Sequence, residues 1–228
     1  MAYKNLLQLE KKEKNKRAGF TIIELITVIT IFSILASVAL SNFGGFTDAI
    51  NLSNLAQQVA IYVKKAQTSG SLGKVIGGYN FQPSAFNPGA IPIYGVRFQT
   101  LNIPHEFCYF ADLDGSGGTD VPCTEKVEQV TISAGYQISN RCVKLPGLST
   151  CSSVASGSDL DILFRRPNLS AIILGPGSDI NDSNTWGECA EITIQSPKGR
   201  QKTIVVRQVG QISTSGSCVS GGIGQLQS

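Results

Sequence analysis

Glu24 is the only charged residue in the 21-residue run from Phe20 to Leu40. As a helix that run measures ~31 Å, enough to cross a bilayer's hydrocarbon core. A carboxylate at membrane depth costs about 3 kcal/mol on insertion scales, and such residues usually carry function and find a partner. The segment before the run holds Lys4, Lys11, Lys12, Lys14, Lys16 and Arg17 against Glu10 and Glu13. That basic flank predicts a cytoplasmic N-terminus and a C-terminal bulk on the far side of the membrane. The junction Arg17-Ala18-Gly19-Phe20 is abrupt. An ordinary signal peptidase cuts after an apolar stretch, here after Ser37-Val38-Ala39, which would free the rest as a secreted domain. A cut before the stretch would instead leave the helix on the mature chain.

Three other sets of residues have chemical potential. Six cysteines, Cys108, Cys123, Cys142, Cys151, Cys189 and Cys218, all lie beyond the apolar run. An even number so placed predicts disulfides in an oxidising compartment. Spacing alone does not choose the pairing. The shortest loops are Cys142–Cys151 and Cys108–Cys123, which leave Cys189–Cys218. With no C-x-x-C pair and one histidine, a zinc site is not expected. Asp112, Asp114, Ser116, Gly117 and Asp120 fall where an EF-hand loop places positions 1, 3, 5, 6 and 9, but position 12 is Cys123, and Glu125 comes two residues late. A Ca2+ loop (Asp112, Asp114, Ser116, Asp120) therefore competes with a solvated turn, and no other cofactor is expected. Lys198, Arg200, Lys202 and Arg207 form a basic set able to meet phosphates, although a mixed-charge hairpin face is more often simply solvated. His105 stands alone in Pro104-His105-Glu106. No nucleophile elbow, phosphate loop or paired acid–base set accompanies it, so no enzyme is expected.

The elements that position these groups follow from periodicity. Ser41-Asn42-Phe43-Gly44-Gly45 predicts a bend or local melting, because each glycine weakens a helix by ~1 kcal/mol. Beyond it Leu52, Leu55, Ala56, Val59, Ala60, Val63 and Ala66 recur at three- and four-residue spacing, with polar residues opposite. The first half of the helix is apolar on all sides and the second half is amphipathic. Ser69-Gly70 is the expected stop. Short strands are predicted at 93–98, 107–111, 126–132, 135–138, 161–164 and 171–174. A hairpin is predicted at 189–195 and 201–208, turning through Ser196-Pro197-Lys198-Gly199. Residues 213–228, rich in Ser and Gly, read as a loose tail unless Cys218 ties it down.

Basic leader, Gly19, Phe20, Thr21, Glu24 and a long apolar run resemble the class III signal of type IV pilins and pseudopilins. The resemblance implies cleavage after Gly19 by a prepilin peptidase and N-methylation of Phe20. It implies pairing of Glu24 with the N-terminal amine of a neighbouring subunit. The partners implied are other pilin subunits, the peptidase, a membrane platform protein with its ATPase, and the lipid bilayer. The mature subunit would be a single-pass membrane protein with its head outside the cytoplasm, later part of a filament. A second, shorter likeness, over Phe110–Asp120, Asp161–Pro167 and Ile192–Val206, is to GspH/FimT-type minor pseudopilins of pili and type II secretion. It implies an α+β fold, a long N-terminal helix packed on small antiparallel sheets. Some members carry Gly-Arg-x-Arg, associated with DNA uptake; here Gly210-Gln211-Ile212-Ser213 lacks both arginines.

The expected organisation is a leader at 1–19, a helix at 20–69 spanning the membrane at 20–40, and a β-rich head at 70–228. The leader holds six of the 19 basic and two of the 16 acidic residues, so the remainder is near neutral at −1. That balance does not indicate a nucleic-acid-seeking domain. The competing reading is a membrane-anchored adhesive or DNA-capturing surface protein.

Overall fold

A computed structural model describes residues 19–41, 43–73, 93–99, 105–112, 123, 126–155 and 157–218. Two helices come first, α1 at Ile22–Ser41 and α2 at Phe43–Leu72. Among the described residues ten strands follow in chain order: β1 Ile93–Phe98, β2 Glu106–Asp112, β3 Lys126–Thr131, β4 Gln137–Lys144 and β5 Ser152–Ser153, then β6 Leu160–Phe164, β7 Ala171–Leu174, β8 Cys189–Gln195, β9 Gln201–Arg207 and β10 Ile212–Ser213. The contacts divide the chain into two units, Met1–Phe46 and Thr47–Ser228.

In the second unit α2 lies against two five-stranded antiparallel sheets. One sheet has the order β3-β2-β1-β6-β7, the other β10-β9-β8-β4-β5. The α+β architecture, a long N-terminal helix on antiparallel sheets, is pilin-like. Leu52, Leu55, Ala56, Val59, Val63 and Ala66 are buried together with the inner faces of both sheets, and Ala60 packs alongside. Along β1 the alternation is clean: Tyr94, Val96 and Phe98 enter this core, while Ile93 turns to a second cluster with Phe110, Leu163, Ile172 and Leu174. Burial of apolar side chains at ~25 cal/mol per Å2 drives both.

The helix runs past Ser69-Gly70. A Cβ on Gly70 would sit 2.4 Å from the Phe164 carbonyl oxygen, so glycine here admits strand β6 rather than stopping the helix. The stop is Gly73, whose φ of +60° is the left-handed geometry of a C-terminal cap. Arg166 Nε donates to the Ser71 carbonyl at 3.0 Å, satisfying one of the helix's last acceptors. Gly44 and Gly45 lie within α2, and Asn42 is outside the described residues.

Strand β4 starts later and extends further than the alternation suggests. A register shift between Ile138 and Asn140 reverses the parity, so that Arg141 and Val143, two residues apart, continue the inner face. The tail is more ordered than its composition predicts up to Cys218: Ile212 pairs with Val206, and Arg207 Nη2 donates to the Ser217 carbonyl at 3.1 Å.

Candidate functional site: the N-terminal helix and the disulfide-tied head

The first turn of α1 is built by Thr21 and Glu24. Thr21 Oγ1 accepts the Glu24 N–H at 3.3 Å, and the Leu25 N–H reaches the Thr21 carbonyl at 3.1 Å. Thr-x-x-Glu at a helix start is the capping-box spacing, a signal that hydropathy alone does not reveal. It puts the carboxylate in the turn where the helix dipole is positive and where a freed amine at Phe20 would also lie. Further along, Thr27, Thr30 and Ser33 turn their hydroxyls back onto the carbonyls of Glu24, Thr27 and Ile29 at 2.7–2.9 Å, which hides them in an apolar environment.

The large apolar side chains from Phe20 to Leu40 are all exposed, Phe20 at 82% and Phe32 at 69%. None of this helix's most apolar window is buried, and by length and composition it can cross a membrane. So large an apolar surface requires lipid or other protein to cover it. Residues 14–40 match the family model for the prokaryotic N-terminal methylation motif. The chain carries that motif. This bears out the likeness to the class III signal of type IV pilins, and it places Gly19, Phe20 and Glu24 within the matched residues. The motif goes with prepilin-type processing and with assembly among pilin-like subunits. No curated protein and no solved structure matches the chain.

In the head, the cysteines form three disulfides: Cys108–Cys123, Cys142–Cys151 and Cys189–Cys218. The two local pairs and the remaining long one are those the loop lengths suggest. On the outer face of the β8 sheet, Cys142, Glu191 and Val205 are cross-strand neighbours. Val205 packs with Cys189, Cys218 and Cys151, and Glu191 Oε1 accepts the Cys218 N–H. The tail is thus bound to the sheet covalently, by a carboxylate and by Arg207. Cys142, Cys151 and Glu191 also bring ligand-type atoms within 4.8 Å of one another, but both sulfurs belong to one disulfide, which leaves a metal only the carboxylate.

Of the proposed Ca2+ loop, Asp112 ends β2 and is buried; Asp114, Ser116 and Asp120 lie outside the described residues. The basic set does not share one face. Lys202 alternates with the inward Ile204 and Val206, whereas Arg207 alternates with the outward Val205. Arg200 Nε is 3.8 Å from the buried Asp48 carboxylate on α2. Asp48 also accepts from Ser196 Oγ at 2.8 Å and Tyr136 Oη at 3.3 Å, so it fastens the β8–β9 turn to the helix. His105 Nδ1 meets the Tyr136 carbonyl at 2.7 Å, a structural contact.

Two buried ionic features escaped the sequence reading because alternation assigns charged residues to the surface. Arg97 on β1 grips Asp161 on β6 with two 2.7 Å bonds. Burial pushes the Asp161 carboxyl up to about 6, with Arg97 pulling the other way. Arg141 Nη1 donates to the carbonyls of Phe98, Gln99 and Ser158 at 2.7–3.0 Å, tying β4 to the neighbouring sheet, and burial lowers its pKa.

Proposed function

We propose that this chain is a structural subunit, of minor-pilin type, of a type IV pilus or a related pseudopilus. The observation that carries this is the methylation motif lying on a helix whose large apolar side chains are exposed. A prepilin peptidase removes residues 1–19, Phe20 becomes the methylated N-terminus, and α1 waits in the bilayer with the head outside the cytoplasm. A membrane platform then draws it into a helical polymer, where Glu24 meets the amine of the next copy. The work is assembly rather than catalysis.

The outer face of α2 supports the same reading. Ile50, Ile61 and Leu72 are 42–66% exposed and recur every eleven residues. Eleven residues make just over three whole turns, so the three stay within ~40° of one line. The core uses the opposite face, which leaves this line for neighbouring helices. The basic residues of the β8–β9 hairpin split between sheet faces, so a DNA-capturing head has less to rest on.

The test is the mass of the chain recovered from its native membrane. The expected N-terminus is N-methylated Phe20, in a sedimentable polymer. A chain beginning at Met1 or near Leu40, or one never found in a polymer, overturns the proposal.

A further inference from the structure

The chain contains three Asn-x-Ser acceptor sequences for N-linked sugar, at Asn51, Asn168 and Asn181. The structure separates them. Asn51 lies within α2 and its side chain bonds Tyr136, so its backbone cannot turn toward an enzyme without unwinding a packed helix. Asn168 precedes Leu169, whose carbonyl accepts from Gln67 Nε2 at 2.8 Å, and Gln67 also holds Gly210 at 3.0 Å. That loop is pinned to the helix and to the β9–β10 turn.

Asn181 differs. Asn181-Asp182-Ser183 forms the rim of the β7–β8 loop, and all three are exposed. The rim's hydrogen bonds close on the loop itself. Asp179 Oδ1 accepts the Asn181 N–H at 2.8 Å, Asp182 Oδ1 accepts the Asn184 N–H at 3.0 Å, and Thr185 Oγ1 donates to the Asp182 carbonyl at 2.7 Å. Ile180 and Trp186 anchor the base against the second core cluster. The rim can therefore open locally without disturbing either sheet, the property required of a segment an enzyme must bend. Among the described residues the Asn181 carboxamide has no hydrogen-bond partner.

We propose that Asn181 is a glycosylation site. The donor class is a polyprenyl-diphosphate-linked oligosaccharide on the outer side of the membrane. The carboxamide nitrogen attacks the anomeric carbon, a C–N bond forms, the C–O bond to phosphate breaks, and polyprenyl diphosphate leaves with the electron pair. The amide proton passes to a base of the transferase. The site rests on the reading above that the head lies outside the cytoplasm.

The experiment is intact-mass and peptide mapping of the chain from its native membrane. The peptide bearing Asn181 is expected to carry a sugar mass, lost completely in Asn181→Gln and in Ser183→Ala and retained in Asn168→Gln. Ser183→Ala keeps the asparagine, so loss there reports recognition of the sequence. A bare Asn181, or sugar found only elsewhere, overturns the site. The N-terminal mass from the same sample separates the two proposals. A Phe20 start with bare Asn181 refutes the site alone. Sugar on Asn181 with an uncleaved leader supports the site and refutes the processing.

Discussion

Removing the Glu24 carboxylate distinguishes two roles that differ in size. Within one subunit Glu24 is the acid of a first turn, capped by Thr21 at 3.3 Å. An acid near a helix N-terminus contributes about 0.3–1 kcal/mol. Glu24→Gln leaves the Thr21 bond and the helix backbone in place, so on this account incorporation falls no more than about 5-fold, the equivalent of 1 kcal/mol. In a polymer core the carboxylate instead meets the amine of another copy, and an uncompensated buried charge costs ~3–5 kcal/mol. Incorporation then falls by about 100-fold or more, at 1.4 kcal/mol per tenfold. The head forms a separate unit from Thr47 onward, so its melting is expected to be unchanged. The assay is competitive: tagged wild-type and variant subunits are co-expressed, sheared filaments are collected, and the ratio is compared with that in the membrane. Leader cleavage is scored in the same cells, because a processing defect would mimic an assembly defect. A cleaved, folded Glu24→Gln chain that enters filaments within 5-fold of wild type would refute the pairing and leave Glu24 as a capping residue.

Gly70→Ala forces a methyl to within 2.4 Å of the Phe164 carbonyl between two backbones that cannot both yield; a loss of ~1–3 kcal/mol is expected in denaturant unfolding of the head, and an unchanged midpoint would show that the close approach is not real. Replacing Cys189 and Cys218 together by Ala opens a loop of 29 residues. It should cost ~2–4 kcal/mol and expose the tail to protease near Ser217; equal stability and equal protection would contradict the latch. Asp161 has a carboxyl raised to about 6 from 3.8. A raised folded-state value means the native state holds its proton more tightly than the unfolded chain, so this contribution is full below pH ~4 and is lost as pH rises to ~6. The stability of wild type minus Asp161→Asn should therefore fall by on the order of 3 kcal/mol across that window. A difference that stays flat or rises would mean that Arg97 outweighs burial.

What the sequence determined by itself was one-dimensional. The charge step at Arg17–Phe20, the isolated Glu24 and the unbroken apolar run are adjacent in the chain, and membrane insertion acts on a contiguous segment. The amphipathic half of the helix and most strands were equally legible, because burial there follows a constant period of 3.6 or 2. Tertiary structure decided everything that depends on distant segments meeting. Gly70 reads as a helix stop until Phe164 arrives beside it. Nothing in the chain marks Arg97, Asp161 and Arg141 as buried until strands β1, β4 and β6 enclose them, and the shift after Ile138 breaks the period that would have shown β4. The four basic residues of the β8–β9 hairpin look like one patch in the chain, yet the pleat sends Lys202 and Arg207 to opposite faces of the sheet.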